Sequence, residues 1–290
     1  MEPARELRDL LGPSSIPERA GWEPVRALVT VKAYPQLSQN YGETVCVAGV
    51  RLDRTPVEWI RIFPVPFRDL RPEDQFEKYR VIEFLARRSS DPRPESWLPD
   101  LSTLRLLEHV DTDSGKWTKR RLLLEPLLPG IPTCDLLTEA RANGLEAPSL
   151  GMVKPKVEEI TVEVNGDFTA DKRALAALVA NEDLFGIQRD ALEPAPYTVK
   201  LHYKCGHDSC FTHHQNVIDW EFGALARRLV REGNTEEQCL AKLAAKAEQL
   251  LSPDRDVYIF IGNQRRNATG FLVLGFFYPT LPPRVAPGLF

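Results

Sequence analysis

The segment from His202 to His214 constrains this chain most, because it gathers side chains that bind metal ions into one short stretch. Its sequence, HYKCGHDSCFTHH, holds four of the five histidines and two of the five cysteines. Cys205 and Cys210 are separated by four residues, and His213 lies three positions after Cys210. A strand end followed by a tight turn can bring such donors to one tetrahedral ion. The spacing therefore predicts a metal-binding knuckle.

Mixed thiolate and imidazole ligands favour zinc over magnesium or calcium. We predict a zinc ion bound by Cys205, Cys210 and His213, with His207 from the same loop as the fourth ligand. His214 is expected to point away, because it directly follows His213, and Cys46 can contribute only if the two halves of the chain meet. A closed site would stabilise the fold, an open three-ligand site would support catalysis, and a loop without metal is the third alternative.

Two acids, Asp219 and Glu221, follow the knuckle in the sequence NVIDWE. They are the candidate catalytic residues, either as general bases or as groups that orient a ligand histidine. The favoured interpretation is a helix start, with Asn216 as the N-cap and Asp219 in the first turn, where acids complement the helix dipole.

The N-terminal half has the pattern of a small barrel. Strands are predicted from the β-rich runs RALVTVKAY, TVCVAGVRL, EWIRIFPV, RVIEFLARR and TLRLLEHV, with a helix at PEDQFEKY. Three strands, a helix and further strands suit an oligonucleotide-binding barrel or a barrel of the pseudouridine-synthase-associated type. Three prolines within residues 89–100 predict an irregular loop there.

The C-terminal half mixes helices and strands. A helix is expected from Thr133 to Asn143, then the strands EEITVEV and PYTVKLHYKC, a helix at ADKRALAALVA, two helices at NVIDWEFGALARRLVREG and TEEQCLAKLAAKAEQLL, and a final hairpin. The predicted class is α+β, with an N-terminal helix and linker at 1–22, a β-barrel-like domain at 23–150 and an α+β zinc-knuckle domain at 151–290.

An arginine between aromatic residues gives the first half a candidate nucleic-acid-binding face. Alternation along EWIRIFPV places Trp59, Arg61 and Phe63 on one side of a strand, where they could stack on bases and contact phosphate. The alternative is that both aromatic rings belong to the core. Four more residues are expected on the same face: Lys32, Tyr34, Arg68 and Arg93. Lys119–Arg121 and Arg265–Arg266 form two further basic clusters.

The net charge and the absence of common catalytic motifs argue against several functional classes of protein. With 37 basic and 41 acidic residues the net charge is −4, so polyanion binding requires a local patch. The sequence has no phosphate-binding GxxxxGK[ST], no GxGxxG, no GxSxG and no HExxH motif. No apolar run suggests a signal peptide or a membrane span, and the cysteines show no disulfide framework. We expect a cytoplasmic protein that does not enter membranes.

These motifs together resemble one family of proteins. The segments KAYPQLSQNYGETVCVAGV, WIRIFPVPFRDL, FEKY and SDPRPESW, followed by C-x4-C-x2-H and IDWE, are similar to a family of uncharacterised bacterial and archaeal proteins with no assigned activity. The resemblance spans nearly the whole chain. It implies that the two halves belong together and that Cys205, Cys210 and His213 are the metal-type positions, and it implies no substrate.

The leading functional hypothesis is a nucleic-acid-binding protein with a structural zinc, for which modified or single-stranded DNA or RNA is the expected ligand. A zinc-dependent hydrolase of a nucleobase or nucleic acid is the alternative enzyme, with Asp219 or Glu221 moving the proton. A module that binds a protein partner in a larger assembly is the third hypothesis.

Overall fold

The computed structural model describes residues 10–33, 36–38, 42–165 and 195–281. Within these ranges it shows two six-stranded sheets and four α-helices, and the α+β class is confirmed. The strands of the first sheet are β1 (Glu23–Lys32), β2 (Gln36–Ser38), β3 (Gly42–Arg51), β4 (Glu58–Val65), β5 (Arg80–Arg88) and β6 (Ser96–His109).

The first sheet closes into the barrel that the sequence predicts. Its strand order is β1-β5-β6-β4-β3-β2, and β1 also pairs with β3, so five strands form a closed ring. Neighbouring strands are antiparallel except β4 and β6, which run parallel. Alternate residues fill the barrel with aliphatic and aromatic side chains, among them Val29, Val47, Ile60, Ile62 and Phe84. Closure removes the exposed sheet edges that an open sheet would leave.

The predicted helix at PEDQFEKY is wrong. Only a short 3-10 turn, Pro72–Asp74, forms there, and the rest of the segment is irregular. Phe76 is buried in the barrel core, whereas Tyr79 is buried in the core between the two sheets. A helix would place residues three apart on one face, so it could not send these rings to two different cores.

The irregular loop predicted over residues 89–100 is only half correct, because β6 begins at Ser96. Pro99 lies within the strand opposite Ala86, close to an irregularity in the pairing of β5 with β6. Proline is tolerated in a strand next to such a bulge, since no ladder hydrogen bond needs its missing N–H.

The second sheet has the order β7-β11-β12-β10-β9-β8 and is antiparallel except at β10–β12. Its strands are β7 (Leu150–Val153), β8 (Lys156–Val164), β9 (Tyr197–Lys204), β10 (His213–Val217), β11 (Tyr258–Gln264) and β12 (Asn267–Phe277). The final hairpin is present as predicted, with its turn at Arg265–Arg266.

The helices are α1 (Thr118–Leu124), α2 (Thr133–Asn143), α3 (Trp220–Arg231) and α4 (Glu236–Leu250). Leu136 of α2, Phe222 and Leu229 of α3, and Leu243 and Leu250 of α4 are buried in the core of the second sheet. Thr235 caps α4 and forms the predicted capping box with Gln238. The helix expected at ADKRALAALVA lies outside the described residues.

The predicted start of α3 is displaced by three residues. Asn216 belongs to β10, and the helix begins at Trp220 with Asp219 as its N-cap. β10 continues to Val217 because that residue pairs with Val199 of β9 and with Val273 of β12. The sheet therefore holds Asn216 in extended backbone and moves the capping role to the next suitable side chain.

A third apolar core joins the barrel to the second sheet. Leu28 and Val50 on the outer side of the barrel pack with Met152, Phe260 and Phe277 of the second sheet. One side of β11 and β12 therefore faces the barrel, while the other side faces the helices. Among the described residues, no helix has the length and apolar character needed to cross a membrane.

Candidate metal centre

The turn between β9 and β10 brings together the three knuckle residues that the spacing predicts. Cys205 follows the last residue of β9, and His213 is the first residue of β10. The Sγ atoms of Cys205 and Cys210 are 3.4 Å apart, and Cys210 Sγ lies 3.3 Å from His213 Nε2. Gly206 has a φ of 84°, a conformation that glycine adopts without strain, and this lets the chain turn between the ligands.

The fourth donor in the cluster is Cys134, which the sequence analysis did not propose. It lies in the first turn of α2, and its Sγ atom is 3.5 Å from His213 Nε2 although the two residues are 79 positions apart. Together Cys134, Cys205, Cys210 and His213 place one donor atom each within 4.8 Å of one another. The five cysteines of the chain are free thiols.

His207, the expected fourth ligand, is placed outside this cluster. Its Nε2 atom lies 3.7 Å from Asp135 Oδ1, and its Nδ1 atom is contacted by the backbone and hydroxyl of Ser209. The ring therefore supports the turn rather than completing the donor set. His214 points away from the cluster, as expected, and its Nδ1 atom contacts His202.

A buried hydrogen-bond chain holds α2 against the second sheet beside the cluster. The Tyr203 hydroxyl is 2.8 Å from Thr133 Oγ1 and donates to Gln215 Oε1, also at 2.8 Å. Tyr203 is fully buried, and its ring packs against His213 with 5.2 Å between centroids. These contacts fix the first turn of α2, and with it Cys134, next to the knuckle loop.

The electrostatics of the cluster suit a cation. Burial, together with the neighbouring Cys205 and Cys210, raises the pKa of Cys134 to about 12. Burial also acts to raise the pKa of Cys205, but hydrogen bonds from the backbones of Cys134 and His207 reverse the shift and lower it. Burial, followed by the neighbouring His214, lowers the pKa of His213. Three thiols this close cannot all ionise without a positive charge between them, and a neutral imidazole is the form that binds a metal.

The donor set fits zinc. Zinc bonds of about 2.3 Å to sulfur and 2.0–2.1 Å to nitrogen place tetrahedral ligand atoms roughly 3.5–3.8 Å apart. The measured separations of 3.3 to 3.5 Å are close to this range. Three thiolates and one imidazole form a ligand set found at structural zinc sites.

The candidate nucleic-acid-binding residues do not share an exposed face. Alternation along β4 is as expected, with Ile60 and Ile62 inside the barrel. The opposite side of the strand is covered by the second sheet. Trp59 packs edge-on against Phe260 with 6.0 Å between ring centroids, and Arg61 is 3% exposed.

The remaining candidates are dispersed. Lys32 is buried, its Nζ atom donates to the Phe76 carbonyl, and burial lowers its pKa to about 8. Arg93 is buried and donates to Asp91 and to the Asn263 carbonyl. Phe63 is half-buried, Arg68 is exposed, and Tyr34 lies outside the described residues.

The two further basic clusters also make contacts within the protein. Arg120 is buried, its Nε atom donates to the Val110 carbonyl, and its guanidinium lies over the Tyr79 ring. Lys119 pairs with Glu108, and Arg121 donates to Asp256. At the hairpin, the Arg265 guanidinium is 3.9 Å from Asp91, and Arg266 donates to Gln264.

Asp219 and Glu221 lie at the junction of the two sheets. Asp219 is buried, accepts a hydrogen bond from the Glu221 backbone N–H and pairs with Lys78 at 2.9 Å. Glu221 is mostly exposed and lies 3.1 Å from the same lysine. Burial raises the pKa of Asp219, and Lys78 acts in the opposite direction. The described contacts of both acids are those of a helix start and an ion pair.

Fold and cluster together define a class: an α+β protein in which a closed five-stranded barrel packs on a mixed sheet with a Cys3His cluster that could hold a metal ion. The chain belongs to the family of the domain of unknown function DUF8757, which matches residues 130–289. A second domain of unknown function, DUF8758, matches residues 23–126. No curated protein matches the sequence.

Two solved structures give low-scoring alignments. A murine DNA-binding protein bound to double-stranded DNA aligns over 91% of this chain and 99% of its own, with 10% identity and a TM-score of 0.29. A deletion mutant of the single-stranded DNA-binding protein from Thermus aquaticus covers 92% of this chain and 100% of its own, with 12% identity and a TM-score of 0.19. Neither TM-score establishes a shared fold.

Proposed function

We propose that Cys134, Cys205, Cys210 and His213 bind one zinc ion whose role is structural. The observation that carries this proposal is the fourth protein donor, Cys134, within 4.8 Å of the other three. Structural zinc sites have four protein ligands, whereas catalytic sites keep one position open for water or substrate. The ion would connect the first turn of α2 to the turn between β9 and β10.

The hydrolase hypothesis gains no support from this arrangement. It needs an open coordination position with a proton-transferring acid beside the bound water. The four donors leave no such position. Asp219 forms an ion pair with Lys78 and caps the start of α3.

Zinc content tests the proposal. We expect about one zinc ion per chain by elemental analysis, and we expect Cys134→Ser to lose it. Two matched controls should keep it: Cys239→Ala, which changes a buried cysteine outside the cluster, and His207→Ala, which changes the histidine of the same loop.

Removal of zinc from the wild-type protein by a chelator should lower the melting temperature by on the order of 10 °C. The free energy of unfolding falls by several kcal/mol, and each kcal/mol lowers the melting temperature by about 2–4 °C. Full zinc content in Cys134→Ser together with loss in His207→Ala would show that the loop histidine is the fourth ligand and would overturn the closed Cys3His assignment.

Nucleic-acid binding is the second candidate function, and exposed arginines stacked on tryptophans favour it. The guanidinium groups of Arg19 and Arg87 lie 5.0 and 4.9 Å from the centre of the Trp22 ring, and Arg88 lies 4.2 Å from that of Trp97. Stacking holds a guanidinium plane in place. Arg19 also pairs with Asp100 and Arg88 donates to the Pro94 carbonyl, but each guanidinium has five N–H donors and so retains others for a phosphate. We propose this arginine–tryptophan surface (Arg19, Trp22, Arg87, Arg88 and Trp97) as the phosphate-contacting region.

The salt dependence of oligonucleotide binding tests this surface. Single-stranded DNA and RNA should bind with an affinity that falls as salt rises, and the double variant Arg87→Ala/Arg88→Ala should reduce the log–log slope by about 1.4, or roughly 0.7 per lost phosphate contact. Arg141→Ala, an exposed arginine on α2, is the matched control and should leave the slope unchanged. Absence of binding at low salt, or equal effects of both variants, would reject the surface.

A further inference from the structure

Two histidines outside the Cys3His cluster face each other on adjacent strands. His202 of β9 and His214 of β10 are direct partners in the antiparallel pairing. Their Nδ1 atoms are 2.6 Å apart, and their ring centroids are separated by 4.6 Å. Two imidazole nitrogens are thus directed at one point on the surface of the sheet.

This pair lies on the opposite side of the sheet from the Cys3His cluster. Neighbouring residues of a strand point to opposite faces, so Tyr203 and His213 face the helices and the buried core. His202 and His214 face outward, and His214 is exposed. An ion bound by them would therefore be separate from the zinc ion proposed above.

The third strand supplies a carboxylate at the same level. Glu159 of β8 is the Cα partner of His202, which in turn is the partner of His214, so the three residues form one row across β8, β9 and β10. Two lysines on this part of the sheet form ion pairs: Lys200 with Glu163 at 2.8 Å and Lys204 with Glu158 at 3.4 Å. Their positive charges are therefore balanced locally.

A neighbouring hydroxyl can fix the tautomer of His202. Thr161 Oγ1 lies 3.3 Å from His202 Nε2. When this oxygen accepts the Nε2 proton, the Nδ1 lone pair of His202 faces His214. Histidine ligands are commonly oriented by such a second hydrogen bond, which also makes the ligating nitrogen more basic.

We propose that His202, His214 and Glu159 form a second metal site, specific for divalent transition metals of the zinc, nickel and copper class. Imidazole and carboxylate ligands suit these ions. Bonds of about 2.0–2.1 Å require the two Nδ1 atoms to separate to roughly 3 Å and the Glu159 side chain to turn toward them. His202 is half-buried, whereas His214 and Glu159 are exposed and have room for these rotations. Three protein ligands leave positions for water or an external ligand, so this site, unlike the Cys3His cluster, is open and exchangeable.

Cobalt titration distinguishes the two sites. Cobalt bound by thiolates shows intense charge-transfer absorption, whereas cobalt bound by imidazole and carboxylate shows only weak visible bands. We expect wild-type protein depleted of metal to bind two cobalt ions per chain, one of each kind. His202→Ala and His214→Ala should each lose the second ion and keep the thiolate absorption of the first.

Matched variants keep the test specific. His109→Ala, an exposed histidine of β6, should bind two ions like the wild type. Thr161→Val should retain the second ion with about 10- to 100-fold weaker affinity, the usual effect of removing a group that orients a ligand. Absence of the weak imidazole–carboxylate bands from the wild type, or their retention in both histidine variants, would overturn the second site whether or not the Cys3His cluster binds metal.

Discussion

At the scale of single residues, Arg61 shows how burial changes the meaning of a sequence motif. Its guanidinium donates to Cys46 Sγ, to the Ser149 carbonyl and to Ser149 Oγ, all at 3.1 to 3.2 Å. Glu95 accepts from the backbone N–H and hydroxyl of the same serine. Arg61 therefore connects the barrel to the segment that leads into β7.

Arg61→Ala should destabilise the protein by about 3 kcal/mol, because it removes buried hydrogen bonds and leaves Ser149 and Cys46 without their donor. Urea unfolding measures this loss. Arg61→Lys should recover little of it, since a lysine cannot reproduce the forked geometry of the guanidinium.

Oligonucleotide affinity of the folded Arg61→Ala variant should equal that of the wild type. An unchanged stability combined with weaker oligonucleotide binding would show that Arg61 belongs to the nucleic-acid-binding face that the sequence suggested.

At the scale of elements, the start of α3 is held by an ion pair between the two sheets. Lys78, just before β5, pairs with the buried N-cap Asp219, and both side chains are at most 9% exposed. Burial acts to lower the pKa of Lys78, but Asp219 and Glu221 outweigh it and raise that pKa. The pair depends on the packing of the barrel against α3.

Lys78→Met should cost about 3–5 kcal/mol, because it leaves the Asp219 carboxylate buried without its charged partner. Asp219→Asn removes only the charge, since asparagine still caps a helix. It should cost less than Lys78→Met, because Glu221 remains 3.1 Å from the lysine.

The double variant Lys78→Met/Asp219→Asn should be more stable than the sum of the two single effects predicts, by about 1–3 kcal/mol in the double-mutant cycle. Urea unfolding of the four proteins provides the measurement. Additive effects would mean that the ion pair contributes nothing beyond its separate parts.

At the scale of the whole molecule, the two sheets share one apolar core rather than meeting through a polar surface. Trp117, which precedes α1, packs edge-on against Tyr79 at 5.3 Å and against Phe277 at 5.4 Å. Tyr79 donates to the Phe276 carbonyl in the same region. Neither sheet can expose this core to water without a large loss of apolar burial.

We therefore expect one cooperative unfolding transition for the protein in which cobalt replaces zinc in the Cys3His cluster. Tryptophan fluorescence reports mainly on the barrel and the shared core, and thiolate–cobalt absorption reports on the metal centre. Their urea transitions should coincide.

Phe260→Ala, in the shared core, should lower the free energy of unfolding by about 3–5 kcal/mol, and both signals should report the same loss. Two separated transitions would show that the barrel and the second sheet unfold independently.

The sequence by itself determined the local features. Alternation located the barrel strands, Thr235 and Gln238 identified the start of α4, and the spacing of Cys205, Cys210 and His213 indicated donors that a single turn brings together. These features depend on residues a few positions apart, for which backbone geometry leaves few arrangements.

Only the tertiary structure decided that both sides of β4 are buried, that Asp219 pairs with Lys78, and that Cys134 joins the Cys3His cluster. Cys134 lies 79 positions from His213, and its thiol reaches the cluster because α2 packs on the second sheet. Alternation shows that a strand has two faces but does not say what covers each of them. The partner of a distant residue is set by how whole elements pack, which no short-range pattern encodes.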